Sequence, residues 1–149
     1  MIFAFVRNRP IGIDIEYRDP SVEVMKMAGV ICTEAERQQL ETLAGLERVW
    51  AFYDCWCAKE AFIKAAGVRE PTSFEVLFWP WEPGLIQVKD NKEHRRQWLF
   101  HRMETGGDWS AMLVTEGRLG PINVYQNPTA EFVSRYCKSP FALLRDSIV

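Results

Sequence analysis

Asp14 and Glu16 stand two residues apart in Ile11-Gly12-Ile13-Asp14-Ile15-Glu16, and Glu60 and Lys64 stand four apart in Trp56-Cys57-Ala58-Lys59-Glu60-Ala61-Phe62-Ile63-Lys64. A strand sends successive side chains to opposite faces, so the first spacing sets both carboxylates on one side and Ile11, Ile13 and Ile15 on the other. Paired carboxylates repel unless they are solvated, protonated or share a cation, and hard oxygen ligands favour Mg²⁺. A solvated strand end accounts for the hexapeptide taken alone. Glu60 adds a third acid, on the helical stripe of Phe52, Tyr53, Trp56 and Ile63, where a carboxylate needs a partner. Lys64, one turn on, would supply an i,i+4 pair, worth only about 0.2–0.5 kcal/mol if exposed. A divalent ion shared by Asp14, Glu16 and Glu60 would account for three acids and one lysine together.

Other chemistries have less support. A Mg²⁺-dependent nuclease also uses paired acids with a Glu-x-Lys element, but Lys59-Glu60 sits in a helical pattern and 18 basic against 20 acidic residues give a net charge of -2, which offers no field for a polyanion. Nucleic acid is therefore not an expected partner. There is no glycine-rich phosphate loop. The two histidines, His94 and His101, have no nucleophile context and read as surface residues of a meander.

The elements that must position the acids follow from periodicity and punctuation. Ile2 to Val6 and Ile11 to Ile15 read as strands joined by Arg7-Asn8-Arg9-Pro10. Met1 lies almost inside the first of them, which leads us to expect an upstream part. A short helix is expected over 21–28 with Gly29 as its stop. Thr33-Glu34-Ala35-Glu36 fits a capping box that opens a helix to about Leu43, ended by Gly45. Glu47 to Ala66 carries the longest helical pattern, with Gly67 as its stop. Strands are expected over 74–78, 85–89, 97–103, 109–115 and 122–125, with Thr105-Gly106-Gly107-Asp108 as the clearest hairpin turn. Such an order, without βαβ alternation, predicts an α+β domain.

The whole chain sets the remaining bounds. Its 149 residues, 48% apolar, suffice for one domain with a real core. No apolar run approaches the roughly 20 residues that cross a bilayer, so no membrane span is expected. Cys32, Cys55, Cys57 and Cys137 follow no signal peptide and no zinc spacing, which points to buried thiols in a reducing cytoplasm. Trp50, Trp56, Trp98 and Trp109 fall at core spacings, whereas Trp79-Pro80-Trp81 lies in a turn where it would be either packed or free to touch a partner.

In this order and spacing, Gly12-Ile13-Asp14-Ile15-Glu16 and the segment Trp56 to Lys64 resemble the two signatures of 4′-phosphopantetheinyl transferases of the surfactin-synthetase-activating type. The second follows W-x-x-K-E-A-x-x-K throughout, and the likeness covers about Phe3 to Thr115. The resemblance implies a half-domain over 1–125, an antiparallel sheet packed on a long central helix, followed by a tail over 126–149. It implies transfer of the 4′-phosphopantetheine arm from coenzyme A to a serine of an apo acyl or peptidyl carrier protein, with 3′,5′-ADP leaving. Asp14, Glu16 and Glu60 would hold Mg²⁺ against the pyrophosphate, Glu60 would serve as base for the serine, Lys64 would meet a phosphate and Lys59 would contribute nearby. The stretch with Arg18, Met25 and Met27 would receive the carrier, and an ordinary amphipathic helix explains it equally.

One departure shapes the expectation. Members of this type have two similar halves, the first bringing an N-L-S-H-S-like segment and basic groups for the adenine and 3′-phosphate, and this chain begins beyond it. The smaller holo-acyl-carrier-protein synthases place sites between subunits, but their first motif usually has one acid, so Glu16 favours the larger type. A C-terminal half should expose the apolar face its partner covered, and a homodimer or larger homo-oligomer is expected. The competing function is a noncatalytic remnant that binds a carrier protein or another subunit.

Overall fold

The computed structural model describes residues 2–68, 98–117 and 120–125, and the backbone of 75–77 and 85–89. Within residues 1–119, one compact unit, the elements run β1 (Ile11–Tyr17), α1 (Val24–Ile31), α2 (Glu34–Thr42), α3 (Gly45–Ala66), β2 (Glu75–Leu77), β3 (Leu85–Lys89), β4 (Trp98–Arg102) and β5 (Trp109–Glu116). Residues 120–149 form a second unit, of which 120–125 lie in no helix or strand. His94, Trp79-Pro80-Trp81, Cys137 and the tail from Gln126 fall outside the described residues.

The sheet is antiparallel in the order β1-β5-β4-β3-β2, so the meander that follows α3 returns to pair its last strand with the first. The α+β expectation is met. Asp14 pairs across to Met112 and Glu16 to Ser110, which places Gly12, Asp14, Glu16, Ser110, Met112 and Val114 on one face by the two-residue alternation. That face packs on α3: Met112, Val114, Trp98 and Phe100 join Cys55, Cys57, Ala58, Ala61 and Phe62 in one core cluster. The other side of α3 buries Val49, Phe52 and Tyr53 against Val24, Ala28 and Leu40 of α1 and α2. A helix covered on both sides buries ten of its residues. Each large apolar side chain so buried contributes about 1.5–3 kcal/mol.

Local signals explain most boundaries. Thr33 Oγ1 accepts the Glu36 N–H at 3.3 Å and Glu36 Oε2 accepts the Thr33 N–H at 2.8 Å, which completes the expected capping box. Gly67 ends α3 in the left-handed conformation, φ 67°, its N–H bonded to the Ile63 carbonyl. Gly106 and Gly107, both at positive φ, turn β4 into β5. Several expectations are corrected: residues 122–125 form no strand, and Trp50 and Trp109, expected in the core, are exposed. Asp19 Oδ1 accepts both the N–H and the hydroxyl of Ser21, a local turn that delays α1 to Val24. Gly29 then lies inside α1, and Gly45 opens α3 rather than ending α2. Residues 2–6 form no strand, because among the described residues β1 pairs with β5 alone and gives them no ladder. Among the described residues, no helix is long and apolar enough to cross a membrane.

Gly12 fixes the distance between sheet and helix. A Cβ there would stand 2.0 Å from the Ala61 carbonyl oxygen and 2.6 Å from the Ala65 nitrogen, both backbone atoms that cannot move alone. Gly12→Ala is therefore expected to lower the unfolding free energy by about 1–3 kcal/mol through overpacking, measured by urea denaturation. A variant as stable as the parent would contradict this close approach.

Candidate active site

The tight seam between β1 and α3 carries the acids. From Gly12, each second residue faces the helix, so Asp14 and Glu16 continue along the seam while Glu60 and Lys64, one helical turn apart, come from α3. Asp14 is buried, 6% exposed, and its Oδ1 accepts from Lys64 Nζ at 2.5 Å. Asp14 Oδ2 is buried and receives no hydrogen bond of ordinary geometry, although the Cys57 thiol interacts with this carboxylate. The Cys57 thiol beside them donates to the Ser110 carbonyl at 3.3 Å, and burial, with the charges of Asp14 and Glu16 behind it, pushes its pKa up.

Glu16 reports the balance of charge. Its pKa is raised first by burial, then by Asp14 and, more weakly, Glu60, against a lowering by Lys64. Asp14, Glu16, Glu60 and Lys64 thus share one electrostatic neighbourhood, with three carboxylates to one ammonium. The three carboxylates do not close into a common coordination shell in this arrangement. Among the described residues the one set of three ligand atoms all within 4.8 Å of one another is Cys32, Glu36 and Cys55, away from the seam. The seam nevertheless fits a divalent cation in two respects: its donors are hard oxygens, and a buried carboxylate oxygen receives no hydrogen bond of ordinary geometry.

Lys59 is not brought to this group. It lies five residues before Lys64, well round the helix, and pairs with the buried capping carboxylate of Glu36 at 2.9 Å. Asp54, which no sequence motif marks, accepts from three side chains. It is 3% exposed and accepts from Arg18 at 3.3 Å, from Ser110 and from Arg102. Arg18 also donates to Ser110 at 2.9 Å and lies over the Trp50 ring. The usable signal was the one applied to Glu60: a carboxylate set between Tyr53 and Cys55 on an apolar helix.

Fold and seam together define an α+β domain in which an acid-bearing edge strand lies against a helix that supplies a further acid and a lysine. The chain belongs to the 4'-phosphopantetheinyl transferase superfamily, whose family model matches residues 10–114. It is 44% identical over 57 residues to a putative 4'-phosphopantetheinyl transferase of Synechocystis sp., covering 38% of this chain and 23% of that protein. It is 31% identical over 83 residues to the 4'-phosphopantetheinyl transferase HetI of Nostoc sp., covering 54% and 35%. The matched segments therefore span about a quarter to a third of these curated relatives. In fold it is similar to a holo-(acyl-carrier-protein) synthase from Bacillus anthracis solved in complex with CoA, at a TM-score of 0.56 and 21% identity over 72% of this chain and 94% of that one. It is also similar to the Chronobacterium ammoniagenes ACPS-CoA complex, at 0.54 and 22% over 74% and 97%.

The crowding at Glu16 has a consequence for stability. A carboxyl whose pKa is higher in the fold than in the open chain binds its proton more tightly when folded, so its contribution favours the fold at low pH and is lost as pH rises from about the ordinary 4.5 through the raised value. Glu16→Gln is expected to raise the thermal midpoint at neutral pH in metal-free buffer and to flatten its decline above that range. A lower midpoint at neutral pH would show that Glu16 is held by attraction instead.

Proposed function

We propose that this chain transfers the 4′-phosphopantetheine arm of coenzyme A to a serine of an apo acyl or peptidyl carrier protein, with Asp14, Glu16 and Glu60 as ligands of Mg²⁺. The observation that carries the reading is the buried Asp14 Oδ2 without a hydrogen bond of ordinary geometry, in a seam of three carboxylates and one lysine, within a chain of this superfamily. Similarity to two chains solved with CoA supports coenzyme A as the donor. Mg²⁺, when bound, would neutralise pyrophosphate oxygens and favour attack at phosphorus.

The chain's own residues then have separable tasks. Glu60, half-buried on α3, takes the proton of the carrier serine as its oxygen bonds to the phosphorus that bears pantetheine. The bond from that phosphorus to the 3′,5′-ADP oxygen breaks, and charge develops on the leaving group. Lys64, whose side chain is half-exposed, is placed to meet a phosphate oxygen. Lys59 has a structural task at Glu36 in this reading, and we assign it no contact with coenzyme A.

The finer assignment is to the C-terminal half of the surfactin-synthetase-activating type, and its motive is the second acid, Glu16, in the first motif. Phe3, Phe5, Tyr17 and Trp109 are exposed, which supports association of the domain into a homodimer or larger homo-oligomer through apolar surface. Light scattering is expected to give a mass of at least two chains. A single-chain mass at micromolar concentration would end the oligomer proposal while leaving the transfer reading open.

Incubation with coenzyme A, Mg²⁺ and an apo carrier protein is expected to add one phosphopantetheine arm to the carrier, seen by intact mass. Glu60→Gln keeps the side-chain shape but loses the base and a metal ligand, and should slow transfer by at least about 10²-fold with an unchanged circular dichroism spectrum. No mass gain across several carriers, or an unimpaired Glu60→Gln variant, would reject the catalytic assignment. Carrier binding without transfer would leave the binding-module function.

A further inference from the structure

Away from the acidic seam, two thiols from different elements face one another. Cys32 caps the C-terminus of α1 in extended backbone and is half-buried, while Cys55 lies in α3 and is 3% exposed; their sulfurs are 3.8 Å apart. Glu36 brings a carboxylate oxygen within 4.8 Å of both, so the group has the outline of a cation site. Its chemistry argues against that use. Glu36 Oε2 already accepts the Thr33 N–H at 2.8 Å and pairs with Lys59 Nζ at 2.9 Å, so this carboxylate has its charge compensated without a metal. Of the two thiols Cys55 is the one that keeps its proton, its pKa raised well above the ordinary value by its hydrogen bond to Cys32 and then by burial.

We propose that Cys32 and Cys55 are a redox thiol pair, in which a hydroperoxide oxidises Cys32 and Cys55 closes the disulfide. The assignment of roles follows from position. Cys32 is the more accessible, sits at the junction between two helices and is one residue before the N-cap of α2, so its side chain can move without breaking a helix interior. The hydrogen bond from Cys55 lowers the Cys32 pKa; burial and Glu36 oppose this, while Lys59 and Arg37 assist it. The thiolate is the reactive form. Its sulfur attacks one peroxide oxygen, the O–O bond breaks, and the departing oxygen takes a proton to leave as water (or alcohol). The resulting Cys32 sulfenic acid is then attacked by the Cys55 sulfur, which gives up its proton as the hydroxyl departs as water. Two thiols are oxidised and one peroxide is reduced. The sulfurs must close from 3.8 Å to about 2.05 Å, which side-chain rotation at Cys32 would begin.

This pair does not depend on coenzyme A, Mg²⁺ or a carrier protein. The test uses the full chain treated with hydrogen peroxide, with non-reducing peptide mapping by mass spectrometry. A Cys32–Cys55 peptide is expected, with two thiols lost and both recovered in dithiothreitol. Cys55→Ala, checked for folding by circular dichroism, should instead accumulate a Cys32 sulfenic acid trapped by dimedone, and Cys32→Ser should leave Cys55 reduced. The proposal is overturned if Cys32 stays unmodified, if it advances to sulfinic acid while Cys55 keeps its thiol, or if either sulfur bridges to Cys57 or Cys137.

Discussion

The backbone of β1 lies directly on the backbone of α3 at Gly12, and the rest of the seam depends on that contact. With no Cβ at Gly12, and alanines at 58, 61 and 65 on the helix, strand and helix meet with almost no side chain between them. The next residues on the same face of β1 must then point at the helix, and they are Asp14 and Glu16. A strand with isoleucines at alternate positions would ordinarily turn those inward. Here the close approach leaves no room for them, and the polar face goes to the helix while Ile11, Ile13 and Ile15 remain half-buried on the other side.

Two buried acids near this seam show how framework and function separate. Asp54 has every feature of a closed structural site: two arginines and a serine hydroxyl converge on it, and they tie the end of β1 to α3, β4 and β5. Removing the Asp54 carboxylate itself leaves the Arg18 guanidinium, 11% exposed, without its partner, a cost of about 3–5 kcal/mol. Asp14 is equally buried but only one of its oxygens receives a hydrogen bond of ordinary geometry, from a lysine whose side chain is half-exposed, and its neighbours Glu16 and Glu60 add charge of the same sign. A fold gains nothing from that imbalance by itself.

Local chemistry was legible in the sequence and distant chemistry was not. Thr33 and Glu36 announced their capping box because both partners lie within one turn, and Gly67 announced its left-handed cap because few other residues adopt that conformation. The period of two placed Asp14 and Glu16 on one face without any knowledge of what that face would meet. Missed were the contacts between elements: Asp54 to Arg18 and Ser110, and Lys59 to Glu36, join residues 23 to 56 positions apart, which no periodicity reports. Residues 2–6 failed as a strand for a related reason, since alternation states a preference but only a partner strand satisfies it.

The Lys64–Asp14 pair couples the two halves of the proposed site. Lys64 is half-exposed in the last turn of α3, so its own loss on leaving Asp14 is of the order of an exposed ion pair, about 1 kcal/mol. Asp14 is 8% exposed at its side chain and would be left as an uncompensated buried charge, a far larger cost. Lys64 therefore stays with Asp14 unless another cation takes its place there. In the proposed function a divalent ion would take that place and leave the ammonium free to meet a pyrophosphate oxygen. On that reading the lysine that holds Asp14 in the ion-free arrangement would be placed to meet the substrate once the ion is bound, and the two binding events would reinforce one another.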